Sequence, residues 1–211
     1  MLVHNNFIPV VFVVDDDASV RYAIRRLLES VGLSCETFAN AVEFLARVGT
    51  TTSGCIVLDV RMPGASGLEL QQKLNDLGCD LPIIFVTGYA DVPVTLRAMK
   101  AGALDVITKP FEDQVLLDAV TQALERDRVR HAQRVELHGL RTRFETLTAR
   151  EREVMALVLS GLLNKQAANV LGTAEKTVKV HRGQVMHKME AASFADLVRM
   201  GERLGISRPG Q

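Results

Sequence analysis

Five times within residues 1–123, a short run rich in β-branched and apolar residues gives way to a stretch with helical periodicity. No other feature limits the available folds as tightly. The runs are VVFVV (10–14), CETF (35–38), CIVLDV (55–60), PIIFVTG (82–88) and DVITK (105–109). VVFVV is apolar without a break, as a strand covered on both faces should be. After Asp17, the residues Val20, Ile24, Leu27, Leu28 and Val31 recur at helical spacing, and Gly32 ends that helix. Further helices are expected near 40–48, 67–77, 93–101 and from 112 onward. Five successive βα units predict an α/β domain with a doubly wound parallel sheet, right-handed crossovers and helices on both faces. Neither G-x-G-x-x-G nor G-x-x-x-x-G-K-[ST] is present, so nucleotide binding has no support.

The chain of 211 residues is long enough for a second module, and its charge is divided accordingly. Residues 1–123 carry 15 acidic and 9 basic side chains, a net −6; residues 124–211 carry 10 and 16, a net +6. A basic rear half suggests a polyanionic partner. Three widely spaced cysteines, Cys35, Cys55 and Cys79, form no C-x-x-C and fit a reducing cytoplasm better than a zinc site or disulfide framework. The N-terminal FIPVVFVV is broken by Pro9 and runs into aspartates, so neither a signal peptide nor a membrane span is expected.

Asp15, Asp16 and Asp17 crowd the end of the first strand. Such crowding raises at least one pKa unless a cation neutralises it, so the stretch is either a metal site or a solvated, helix-capping turn. In a parallel sheet every strand ends on one edge, where ligands bind. The polar residues at those ends are Asp15 and Asp16 on the first strand, Asp59 on the third, Thr87 on the fourth and Lys109 on the fifth. In a flavodoxin-like order 2-1-3-4-5, the first and third strands are neighbours, which brings three carboxylates beside a hydroxyl and an ammonium. Hard oxygen ligands with room for water suit Mg²⁺. A carboxylate beside that ion can attack a phosphoryl group whose oxygens the metal, Thr87 and Lys109 neutralise. Asp17 is read as the start of the first helix.

With VVDDD, LDVRMPGASGLEL, FVTGY and AMKAGALDVITKPF on one sheet edge, residues 10–123 resemble the receiver domain of bacterial two-component response regulators. The resemblance implies that Asp59 accepts phosphate from the phosphohistidine of a sensor kinase. It also implies Mg²⁺ held directly by Asp16, Asp59 and the backbone carbonyl of Arg61, with Asp15 helping through water. Thr87 and Lys109 would hold the phosphoryl oxygens, and Lys109–Pro110 would be cis. Val106 stands where the family usually carries an aromatic side chain, so switching through Thr87 would rely on backbone shifts near Val106 rather than on an aromatic rotamer. A phosphatase of the dehalogenase kind would carry D-x-D-x-[TV] in one loop, whereas the acids here lie on two strands.

Residues 124–145 are rich in arginine and read as a linker, an exposed helix continuing the fifth one and interrupted near Gly139. Leu137, Leu140, Phe144 and Leu147 are spaced 3, 4 and 3, so a short pairing seam is the other reading of this segment. From 146 to 211 the periodicity is helical only. Thr148 and Glu151 form a capping box opening a helix to about Leu159; helices over about 164–171 and 175–189 flank Gly172, and Ser193 caps a fourth. Short helices about a glycine turn suggest helix-turn-helix. At 100° per residue, Val178, Val185 and Met189 share one face, and Lys176, Lys179, Val180, Gly183 and His187 the opposite one. That stripe suits a major groove; Arg182, to one side, would reach towards a phosphate. Gly183 either permits close approach to DNA or is simply tolerated.

The text LTAREREVMALVLSGLLNKQAANVLGTAEKTVKVHRGQVMHKM resembles the LuxR-type helix-turn-helix of FixJ/NarL proteins. That resemblance implies Lys179, Val180 and Gly183 facing bases, Lys165, Thr177, His181 and Arg182 nearer the backbone, and a dimerising last helix. The combined expectation is a cytoplasmic, phosphorylation-controlled transcriptional regulator, not an enzyme in the ordinary sense. It would dimerise on activation and bind double-stranded promoter DNA, with RNA polymerase as a further partner and no membrane. The alternative is a phosphorylation-independent DNA binder whose front domain only dimerises.

Overall fold

The computed structural model describes residues 9–49, 52–88 and 92–206. The chain ends assigned to the two domains and Tyr89 of the FVTGY text lie outside the described residues. The front half comprises β1 (Val10–Val14), α1 (Ala18–Ser30), β2 (Ser34–Phe38), α2 (Ala41–Arg47), β3 (Gly54–Asp59), α3 (Gly67–Asp76), β4 (Ile83–Thr87), α4 (Val92–Lys100), β5 (Asp105–Thr108) and α5 (Asp113–Glu145). The five strands form one parallel sheet in the order β2-β1-β3-β4-β5, as expected.

Period-two alternation explains how unbroken apolar strands feed two cores. Phe12, Val14, Ile56, Leu58 and Phe85 pack on one face with Phe44 of α2, Leu70 and Leu74 of α3 and Ala98 of α4. Val11, Val13, Val57, Ile84 and Val86 pack on the other with Ile24 and Leu28 of α1 and with Leu116, Val120 and Ala123 of α5. Burying a large aliphatic or aromatic side chain contributes about 1.5–3 kcal/mol, so each face supplies a substantial core. Asp17 caps α1, its carboxylate accepting the Ser19 N–H at 2.8 Å.

Four helices follow: α6 (Ala149–Leu159), α7 (Asn164–Leu171), α8 (Glu175–Lys188) and α9 (Phe194–Arg203). Thr148 and Glu151 make the expected capping box, and Ser193 caps α9 by accepting the Asp196 N–H at 3.1 Å. Gly172 ends α7 at φ 60°, a left-handed conformation that turns the chain into α8 with no Cβ penalty. Val154, Met155, Val158, Ala167, Val178, Val185, Met189 and Leu197 fill the core between these helices.

The chain divides into two compact units between His131 and Ala132, inside α5. Contrary to expectation, α5 is not interrupted at Gly139; it runs unbroken for 33 residues. One glycine costs about 1 kcal/mol of helix propensity, which the burial of Leu140 and the packing of Phe144 into the core of the helical unit outweigh. Three residues of the 3-4-3 pattern pack within the chain. Leu147 and Phe144 join the core of the helical unit, and Leu140 is buried. The segment read as a linker is therefore shared between the two units.

Candidate functional site

Asp15 follows β1 directly, and its N–H donates to the Phe38 carbonyl at 3.2 Å, extending the pairing with β2 by one residue. Its side chain is almost fully buried, and each oxygen accepts one hydrogen bond. Oδ1 accepts the Asp17 N–H at 2.8 Å and Oδ2 the Lys109 ammonium at 2.7 Å. Asp59 ends β3, also buried, with Oδ1 3.6 Å from Lys109 Nζ. Asp16 is exposed beside them. One carboxylate oxygen from each of Asp15, Asp16 and Asp59 lies within 4.8 Å of the others. Three acids converging on one point suit a hard divalent cation that keeps part of its water shell.

Burial pushes the Asp59 carboxyl above the usual aspartate range; Lys109 opposes this, while Asp15 and Asp16 add to it. Thr87 is buried at the end of β4, and its carbonyl accepts the Lys109 N–H at 2.8 Å, fixing the β4 and β5 ends together. The Lys109–Pro110 peptide is cis, as expected. Arg61 follows Asp59 by two residues with an exposed side chain. Val106 is half-buried on β5 and packs against the core that α4 covers.

Two contributors escaped the sequence reading. Arg21 Nη1 donates to the Asp15 carbonyl at 2.6 Å, and only its place one turn into α1 hinted at this. Gly67 opens α3 so close to β3 that a Cβ there would overlap the Asp59 carbonyl, while its N–H bonds the Val60 carbonyl at 2.9 Å. A glycine at the start of a helical pattern was the available signal. Together these groups make a carboxylate nucleophile set among acids that one cation can unite, with an ammonium and a hydroxyl at hand.

The second candidate surface is α8. Val178, Val185 and Met189 are fully buried, as the helical wheel required. Lys176, Thr177, Lys179, Val180 and Gly183 are exposed, His181 and Arg182 are half-buried, and Lys165 is exposed in the first turn of α7. No neighbouring atom lies within 4 Å of where a Gly183 Cβ would stand, so the chain itself does not demand a glycine there. Lys188 bridges α8 to α6 through the buried Glu151 at 2.7 Å. Burial raises the Glu151 carboxyl, but Lys188 and Thr148 outweigh it and hold it below the ordinary glutamate range.

A five-stranded parallel receiver fold with a convergent acid site, joined to a helix-turn-helix unit, defines a two-component transcriptional regulator. Residues 11–121 match the family described as "Response regulator receiver domain", and residues 145–201 match "Bacterial regulatory proteins, luxR family". Nodulation protein W of Bradyrhizobium diazoefficiens is 53% identical over 198 residues, covering 94% of this chain and 87% of that protein. Transcriptional regulatory protein FixJ of Rhizobium meliloti is 42% identical over 190 residues, covering 90% and 93%. Among solved structures, response regulator StyR superposes with a TM-score of 0.84 at 48% identity, covering 93% of this chain and all of that one. The chain belongs to the response regulators of the FixJ/NarL type. Among the described residues no helix is long and apolar enough to cross a membrane.

Proposed function

We propose that this regulator is switched by phosphorylation of Asp59 and reads promoter DNA with α8. The convergence of Asp15, Asp16 and Asp59 oxygens within 4.8 Å, with Lys109 among them, carries this reading. In the phosphotransfer step an Asp59 carboxylate oxygen forms a bond to phosphorus, and the P–N bond to the histidine of a sensor kinase breaks. The histidine nitrogen keeps the electron pair and takes up a proton. Magnesium bound by Asp16, Asp59 and the Arg61 carbonyl, with Asp15 acting through water, would supply positive charge at the phosphoryl oxygens. Lys109 and Thr87 hold the remaining oxygens, and Thr87 with Val106 relays the change to the surface between α4 and β5.

Phosphorylation then favours a homodimer whose two α8 helices occupy half-sites about one helical turn apart, which raises affinity by effective concentration. Lys179, Val180 and Gly183 face bases, with Lys176 on the same groove-facing stripe, while Lys165, Thr177, His181 and Arg182 serve the backbone. Within this reading the protein acts in the cytoplasm, and the DNA-bound dimer contacts RNA polymerase. Asp59→Asn is expected to abolish labelling by acetyl phosphate or a kinase while leaving the fold intact; unchanged labelling excludes Asp59 as acceptor. Lys179→Ala is expected to lose sequence-specific binding, and normal footprints exclude α8 as reader. Val106, aliphatic where an aromatic switch would stand, favours one second reading, a regulator that binds DNA regardless of phosphorylation. Footprints with and without a phosphoryl analogue decide between the two.

A further inference from the structure

Arg182 is a half-buried cation with no ion-pair partner among the described residues. Arg143, Arg150, Arg199 and Arg203 of the same unit pair with Glu190, Glu153, Asp196 and Glu136, and Lys188 pairs with Glu151. Among the described residues no carboxylate pairs with Arg182. Its guanidinium is nevertheless held in place. Its Cζ lies 4.9 Å from the ring centroid of Phe194, the first residue of α9. One Nη1 hydrogen is donated to the Asn164 side-chain oxygen at 3.2 Å, at the first residue of α7. An aromatic face and a neutral amide fix an arginine without neutralising it. A guanidinium carries five N–H donors, and only one is engaged by that amide. The next residue of α7 is the exposed Lys165.

A cation fixed in this way is preorganised for an external anion, because the rotamer entropy of a long side chain is lost on folding rather than on binding. On a helix-turn-helix unit the anion of matching chemistry is a DNA phosphate. We infer that Phe194 and Asn164 are positioning residues for DNA binding: they hold the Arg182 guanidinium ready for one backbone phosphate. This rests on the assignment of α7 and α8 to the DNA surface and adds to it a residue from α9 that lies outside the helix-turn-helix pair. On this inference Phe194 acts through Arg182, whose guanidinium its ring holds.

The test uses the full chain and a duplex enriched by it from a random-sequence pool. Phe194→Leu keeps apolar bulk and removes the ring face; binding is expected to weaken about two- to fivefold, with a shallower dependence on salt. Phe194→Tyr, which restores a ring, is expected to recover both. Arg182→Ala is expected to reduce the salt slope by about one, as for a lost phosphate contact. In the Arg182→Ala background, Phe194→Leu is then expected to have no further effect. Equal losses in both backgrounds would show that Phe194 acts otherwise and overturn the inference. An unchanged salt slope in Arg182→Ala would overturn it while leaving α8 as reader, provided Lys179→Ala still loses binding. Failure of the unmutated chain to enrich any duplex would sink the DNA reading itself. Should Phe194→Leu not fold, Asn164→Ala probes the other support and is expected to show the same dependence on Arg182.

Discussion

Asp59 is buried beside two other acids, and its carboxyl is raised above the ordinary range for that reason, with Lys109 only partly offsetting the shift. A raised carboxyl pKa in the folded state means that its stabilising contribution is present at low pH and fades as pH rises through that value. Once ionised, Asp59 is therefore a burden on the fold. Asp59→Asn is expected to raise the melting temperature in the absence of divalent cations, with the difference shrinking on acidification. The same variant is expected to lose most of the stabilisation that magnesium confers on the parent, both read by thermal unfolding. Glu190 shows strain of a different kind. It follows α8 at φ 56°, left-handed for a residue with a Cβ, with its N–H bonded to the His187 carbonyl and the Ala191 N–H to that of Met186. Glycine suits this Schellman turn better. The exposed 3.4 Å pair with Arg143 offsets little. Glu190→Gly is expected to stabilise the helical unit by about 0.5–1 kcal/mol in urea titrations.

Among the elements, α5 carries the most information. Its buried stripe of Leu116, Ala119, Val120 and Ala123 continues to Asp127, a carboxylate with no exposure at all. Asp127 Oδ2 accepts the Gly54 N–H at 2.8 Å and the Ser53 hydroxyl, capping the start of β3 from the side. Asp127→Ala would leave the buried Gly54 N–H and the part-buried Ser53 hydroxyl without this acceptor, and a loss of about 1–3 kcal/mol in the stability of the front unit is expected from denaturant unfolding. Further along the helix, Gly139 meets nothing within 4 Å of a Cβ position. Gly139→Ala is expected to stabilise by up to about 1 kcal/mol, visible as stronger hydrogen-exchange protection around residue 139.

On the scale of the molecule, each unit has its own hydrophobic core, and the division falls within a continuous helix. Two independent cores predict two unfolding transitions by calorimetry, and a single transition matching the van't Hoff enthalpy of the whole chain would contradict this. The charge follows the same division. The acidic excess lies in the front half, where three carboxylates converge, and the basic excess of the rear half suits a polyanionic partner. Magnesium should thus shift the transition of the front unit, and duplex DNA that of the rear unit.

Local patterns encoded the elements: unbroken apolar runs gave β1, β3 and β4, helical spacing gave α1 and α8, and the Asp17, Thr148 and Ser193 caps marked helix starts within a residue. Such signals depend on neighbours two to four positions apart, so one sequence displays them directly. The meeting of Asp15, Asp16, Asp59, Thr87 and Lys109 at one sheet edge was legible through topology instead, since parallel strands must end together. What remained hidden involves partners distant in sequence. The 2.7 Å Lys109–Asp15 bond joins residues 94 apart, and the capping of Gly54 by Asp127 joins residues 73 apart. The continuity of α5 through Gly139 also went unseen, because a penalty of about 1 kcal/mol stands out in sequence while the packing that outweighs it does not. The chain alone fixed which elements form and which acids could meet. Sheet register and helix packing decided which groups actually touch, because those contacts follow from the positions of whole elements rather than from any local run of residues.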